Sequence, residues 1–430
     1  MTWNQWYHFR SYLRSSLWVV PFFAMPLALV AVNIFRLFDR WLQWNFLGLN
    51  VQGAQSLLQA TVTATLSFMV FTFGSLLVAI QVASAQLTPR VIATTLLRND
   101  VVRYTVGLFI FTFIFALSAQ DRMQTTVDEL VVFAATILAI SCFAAFFYLI
   151  DYASRLLRPV SILARVANDG LAVITSVYPN PSIGSFISKS QHHKLGEPHR
   201  IIRHEGPSKI ILAVNLEALV AESVKANGVV EFIPQVGDFV AADEPLFNLF
   251  GTAREIDDDL LRATVAFGSE RTMEQDPTFS FRIVVDIALR ALSSAINDPT
   301  TAVLAIDQLQ RLLRVAGNRN LRTDENLDKS GKLRVIVRTP NWEDFVTLAF
   351  SEIRRCGSNN LQIARRLRAM IKNLTQTLPK HRHAALLQEL RLLDFEIEKH
   401  FTFPEELELA YIADTQGLGG HSGKSKRRQQ

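Results

Sequence analysis

Cysteine is almost missing from this chain: Cys142 and Cys356 are the two in 430 residues, and they lie far apart. No disulfide framework is available, which suits a reducing cytosolic compartment. Charge is missing where it decides most. Four long apolar runs, at 17–35, 57–81, 104–119 and 130–150, contain no Asp, Glu, Lys or Arg, although charged residues make up 19% of the whole. Ionisable groups deep in such runs would mark a proton-coupled carrier, and their absence speaks against one. No aromatic-basic motif is present either, so the net charge of +5 reads as arginines flanking the runs plus the Lys424–Arg428 tail, not as a nucleic-acid surface.

With 49% hydrophobic residues concentrated before residue 152, the chain is too apolar for an ordinary soluble protein. A helix needs roughly 20 mostly apolar residues to cross the hydrocarbon core, and the runs are read as four transmembrane helices within a domain 1–158. The third is the shortest. The first is longer than the apolar part of a secretion signal and lacks a small-residue cleavage pattern, so it is read as retained. Positive residues flank the N-terminal arm (Arg10, Arg14), the second loop (Arg90, Arg98, Arg103) and the end of the fourth run (Arg155, Arg158, Arg165). This places both termini in the cytosol; Arg36 and Arg40 in the first loop run against the pattern.

Residues 159–252 read as a connector and a small β-rich subdomain. The helical pattern at 161–176 comes first, then a Pro-, Gly-, Ser- and His-rich loop at 179–207, then strands at 209–214, 229–233 and around the Gly237-Asp238 turn. A small β-barrel or sandwich is expected, similar in architecture to biotinyl and lipoyl carrier domains but without their modified lysine. His192, His193, His199 and His204 have no ligand-like spacing and no nearby cysteine, so no metal is expected. Residues 253–415 read as mainly helical, starting with a helix at 256–267, and 416–430 as a disordered basic tail.

Two sets of polar residues stand out. Along one face of the second run lie Thr61, Thr65, Phe68, Thr72, Ser75 and Ala79, leading to Gln81, Ser84, Gln86 and Arg90. Steps of four and three put them on one stripe. In a ring of copies, Thr61, Thr65, Thr72 and Ser75 would line a path, Phe68 would form its apolar constriction, Gln81 and Gln86 its mouth, and Arg90 would attract anions. The same stripe also suits plain helix packing. The second set is Arg271, Thr272, Gln275, Asp276, Asp286, Asn297, Asp298, Thr300 and Thr301. Asp276-Pro277 and Asp298-Pro299 have the form of helix N-caps with proline at the first helical position. A guanidinium among carboxylates and amides also makes a plausible anion or ligand pocket. No nucleophile with a base in reach accompanies it, so no enzyme activity and no cofactor are expected.

The run Ser269-Glu-Arg-Thr-Met-Glu-Gln-Asp-Pro277, with 282–292 and Ile296-Asn-Asp-Pro-Thr-Thr301, resembles the signature of a bacterial membrane-protein family, domain of unknown function 2254. The stretch 81–90 resembles that family too. The resemblance implies four N-terminal spans and a cytosolic C-terminal domain, and supplies no reaction. The combined expectation is a multi-pass protein of the bacterial inner membrane, assembled as a homo-oligomeric ion channel lined by the second span. The alternative is a membrane-anchored sensor or scaffold that binds a small ion or anionic ligand at the Arg271–Thr301 cluster.

Overall fold

The computed structural model describes residues 18–42, 48–86, 100–123, 127–156, 158–182, 195–321 and 324–420, with Trp3, Trp6, Tyr7, Phe9, Leu13 and Ser16; at 83–86, 122 and 156 it describes the backbone alone. The chain divides into two units, 10–162 on one side and 1–9 with 163–430 on the other.

The first unit is a helical bundle of α1 (Val19–Leu42), α2 (Val51–Gln86), α3 (Asp100–Arg122) and α4 (Glu129–Leu156). Each starts or ends within a few residues of an expected apolar run, and α3 extends the weakest of them on both sides. In α1 the buried residues are Pro21, Ala24, Ala28, Val32, Arg36 and Asp39, in steps of three and four that put its small apolar side chains, with Arg36 and Asp39 at one end, inward. The large ones, Phe22, Phe23, Leu27 and Leu37, point outward. Large apolar groups outside and small ones inside is the arrangement that lipid favours and water does not. Gly107 of α3 lies where an added Cβ would meet the Val20 side chain at 2.7 Å, so α1 and α3 approach closely there.

The four-helix count needs correction. Five helices are long and apolar enough to cross a membrane, the fifth being α5 (Pro159–Val177), which sequence reading makes a cytosolic helix. Most of α5 belongs to the second unit. A Cβ at Gly170 would collide with Ser280 Oγ at 2.4 Å and meet Leu312 at 3.1 Å, so its middle is packed on the helices α8 (Pro277–Ala291) and α9 (Pro299–Gly317).

Between α5 and α8 lie β1 (Arg200–Arg203), β2 (Lys209–Val214), α6 (Leu216–Lys225), β3 (Val229–Phe232), β4 (Phe239–Val240), β5 (Pro245–Phe250), α7 (Asp258–Arg262) and β6 (Val265–Gly268). After α9 come β7 (Glu325–Leu327), β8 (Leu333–Val337), α10 (Trp342–Gly357), α11 (Leu361–Thr377), α12 (His383–His400) and α13 (Pro404–Ala410). Among the described residues the strands form two sheets, β1-β5-β3-β8-β7 and β4-β2-β6, and no closed barrel. Both feed one core, where Phe232, Leu246 and Phe247 meet Ile211, Val240 and Val265. The expected 256–267 helix is in fact α7 followed by β6, whose Val265 and Ala266 are buried.

The stretch from 416, expected to be disordered, is ordered as far as 420. Asp414 accepts the amides of Gln416, Gly417 and Gly419, and buried Arg365 donates to the carbonyls of Gly419 and Gly420 at 3.0 Å. These bonds fix 414–420 against α11; residues 421–430 lie outside those described.

Candidate functional site

Helix α2 has 36 residues with no proline and no charged side chain. At 1.5 Å per residue it is roughly 54 Å long, well beyond the ~30 Å hydrocarbon core. Hydroxyls recur at 61, 63, 65 and 67, and residues two apart on such a helix point roughly 200° apart. Two polar stripes therefore lie on opposite sides.

One stripe is inside the chain's own bundle. Thr61, Thr65 and Thr72 are buried. Thr61 Oγ1 donates to Leu57 O at 2.9 Å and Thr65 Oγ1 to Thr61 O at 2.7 Å. These are back-bonds that satisfy a hydroxyl without a partner helix. The Phe68 ring stacks on Phe146 at 4.8 Å and lies 6.1 Å from Phe109, between α3 and α4. Ser75 is exposed and bonds back to Thr72 O. The face assigned to a pathway from sequence is thus largely a packing face within one copy. Gln81 is exposed; Arg90 and the side chains of Ser84 and Gln86 lie outside the described residues.

The opposite stripe, Gln52, Ser56, Gln59, Thr63 and Ser67, is exposed. Its first four residues, with Gln55, Ala60, Ala64 and Gln120, border an open hollow of about 750 Å³. Gln120 Nε2 donates to Gln59 Oε1 at 2.9 Å, and Gln55 Nε2 to Met123 O at 2.7 Å. Sequence reading missed this stripe although its spacing, 52, 56, 59, 63, 67, was available. Periodicity gives the stripes and does not say which one faces inward.

At the same end of the bundle, Arg36 pairs with Asp128 (Nε to Oδ2, 3.0 Å) and Asp39 accepts Leu130 N at 2.8 Å, capping α4. Arg36 is therefore a buried structural cation, which explains why it runs against the charge pattern of the loops. Cys142 is buried in α4, with its Sγ donating to Thr112 Oγ1 at 3.2 Å.

In the second unit, the residues grouped as one cluster from sequence separate to the two ends of α8. At its start, Asp276 Oδ1 accepts Thr278 N, Thr278 Oγ1 and Phe279 N at 2.6–3.1 Å, an N-cap with proline following. Asp276 is only 2% exposed, and its Oδ2 has no hydrogen-bond partner. Burial pushes its carboxyl above the usual range, opposed by the Thr278 hydroxyl and the Arg271 charge. Arg271 Nε donates to Gly237 O at 2.8 Å, and Gly237, at φ +95°, brings its α-carbon against Asp276 and Arg271, where no side chain fits. Gln275 Oε1 accepts Val214 N at 2.9 Å, and the Thr272 hydroxyl is buried without a partner.

Beyond the other end, Asp298 caps α9 through Thr301 N (3.0 Å) and Thr301 Oγ1 (2.5 Å), after Asn297 at φ +47°. The 15 residues of α8, roughly 22 Å, separate the two caps. Asp286 is engaged by Arg282, which also holds Glu352 of α10. Of the histidines, His199 accepts Gly251 N and His204 contacts Pro207 O, separately; His192 and His193 lie outside the described residues.

An uncharacterized protein of Mycobacterium bovis and one of Mycobacterium tuberculosis are each 24% identical over 413 residues, covering 91% of this chain and 78% of the relative. No solved structure matches. The family described as predicted membrane protein, domain of unknown function 2254, matches residues 14–373, and with several helices able to cross a bilayer, the chain belongs to that family.

Proposed function

We propose that this protein is a homo-oligomeric ion channel or pore of the bacterial inner membrane, built around α2, with the second unit as its cytosolic regulatory part. The observation that carries the reading is α2 itself: it is uncharged over 36 residues, yet has amides and hydroxyls on both sides. Lipid has no use for those on the outer side, whereas a water-filled path or another helix does. The lining is the Gln59, Thr63, Ser67 side; the Thr61, Thr65, Thr72 side belongs to the bundle.

Connectivity supports an even number of spans, and the flanking arginines support cytosolic termini. Trp3 and Tyr7 pack on Leu212, Ala213 and Ala266, so residues before α1 and after α4 share one unit. The chain between them must cross an even number of times. This supports α1 to α4 as the spans and α5 as a helix of the cytosolic unit, in keeping with the arginines at 155, 158 and 165.

Purified full-length protein in liposomes should release trapped ions, and Thr63→Leu with Ser67→Leu should lower the rate. Liposomes as tight as protein-free ones would overturn the channel.

A second reading, a ligand sensor or scaffold, is favoured by one observation: the unpartnered Asp276 Oδ2 and Thr272 Oγ1 beside Arg271. On this reading small anions raise the unfolding temperature of the full chain and Arg271→Ala removes the shift. Indifference to phosphate, sulfate and nucleotides would count against it.

A further inference from the structure

We propose that the segment ahead of α1 is a membrane-surface helix whose Trp6, Phe9 and Leu13 side enters the headgroup layer of the cytosolic leaflet. The inference rests on α1 being a span and does not need a pore. Trp3, Trp6, Tyr7, Phe9 and Leu13 are helical. On a 3.6-residue helix Trp6, Phe9 and Leu13 fall within an arc of about 60°, and the Trp3 and Tyr7 pair is centred roughly 110° away.

The two sides have different surroundings. Trp3 stacks on Tyr7 at 5.5 Å, and both pack against Ile210, Leu212, Ala213 and Ala266 of the β4-β2-β6 sheet. Trp6 and Phe9 are 50% and 52% exposed. Aromatic rings left this open lose the burial that makes them favourable, unless a second apolar surface meets them.

Position decides what that surface is. Arg103, near the start of α3, donates to Leu13 O at 3.5 Å, which holds Leu13 level with the end of a span. Phe9 is four residues away, at most about 14 Å even in a fully extended chain. After Leu13, the exposed Trp18, Phe22 and Phe23 carry the aromatic surface onto the lipid-facing side of α1. Trp6 and Phe9 therefore continue a face that already meets lipid, at the level where aromatic rings anchor spans.

Charge selects a lipid surface over another copy of the chain. Residues 1–38 hold Arg10, Arg14 and Arg36 and no Asp or Glu. Anionic headgroups attract such a stretch, whereas a second copy would oppose it with the same arginines. Tryptophan, phenylalanine and leucine on one side, with arginine nearby, are the composition of a helix lying about 5–10 Å into the membrane boundary.

The test uses the full-length chain in liposomes of phosphatidylethanolamine and phosphatidylglycerol, with an environment-sensitive fluorophore on a single cysteine. The labelled positions are Phe9→Cys, Leu27→Cys on the exposed side of α1, and the native, exposed Cys356, the other cysteines being replaced by serine. Lipids with a doxyl quencher near the headgroup should dim the Phe9→Cys label, lipids with a deep quencher should dim the Leu27→Cys label, and the Cys356 label should stay bright. Adding Trp6→Ser to the Phe9→Cys chain should restore emission. A Phe9→Cys label as bright as that on Cys356 while Leu27→Cys is quenched overturns the proposal and leaves α1 a span. Bright labels at both positions overturn the span and the proposal with it, and quenching unchanged by Trp6→Ser overturns the aromatic anchor.

Discussion

Thr65 and Ser67 are two positions apart on α2, and the first is buried while the second faces outward. Their hydroxyls are equally visible in the sequence, so it is the neighbouring helices that give them different work. Phe68 belongs to the buried side, among Phe109, Phe143 and Phe146. Phe68→Ala is expected to destabilise the bundle by roughly 3 kcal/mol, read as a lower unfolding midpoint in detergent, with no rise in leak. An unchanged midpoint with a larger leak would return Phe68 to a constriction. Asp276 makes a second residue-scale prediction. Asp276→Ala loses the α8 cap and should cost about 1 kcal/mol, whereas Asp276→Asn keeps an accepting oxygen and should cost less. Because burial raises its folded-state pKa, the folded chain holds a proton that the unfolded chain releases. Its contribution to stability therefore falls as pH rises from the ordinary carboxylate value to the raised one, and is level above it. Asp276→Asn should remove that fall in a pH series of unfolding midpoints; an identical pH profile would contradict the assignment.

The helix α5 has the length and apolarity of a span, and its fate is decided by what it touches. Gly170 is in contact with Ser280 and Leu312, so Gly170→Leu should overpack the α5–α8–α9 contact and cost roughly 1–3 kcal/mol. If α5 faced lipid at that point, the substitution would pass without effect on the unfolding midpoint. Local signals made most elements legible. The uncharged runs gave α1 to α4, and the Asp-Pro pairs at 276 and 298 gave the caps of α8 and α9. What escaped depends on partners distant in sequence. β6 reads as helix because Val265 and Ala266 continue an apolar pattern, and only its pairing with β2 makes it a strand. β3 and β8 pair in parallel across about a hundred residues, so the two-sheet arrangement has no local trace. The polar cluster was legible as residues but not as a place, since α8 carries its two halves apart.

For the whole molecule, the proposed topology draws its support from residues 1–9 and 163–430 sharing one unit. Cys356 is exposed in that unit and Cys142 is buried, so the natural cysteines report topology without mutation. A membrane-impermeant maleimide should label Cys356 in inside-out vesicles and not in intact cells; labelling from outside would reverse the orientation. The proposed channel requires copies of the chain to enclose a conducting path beside the Gln59, Thr63 and Ser67 side of α2. Current recorded across a planar bilayer containing the purified full-length protein decides whether they do. Unitary current steps that shrink in Thr63→Leu with Ser67→Leu are the predicted result, and a bilayer that stays silent with wild-type protein incorporated would contradict it.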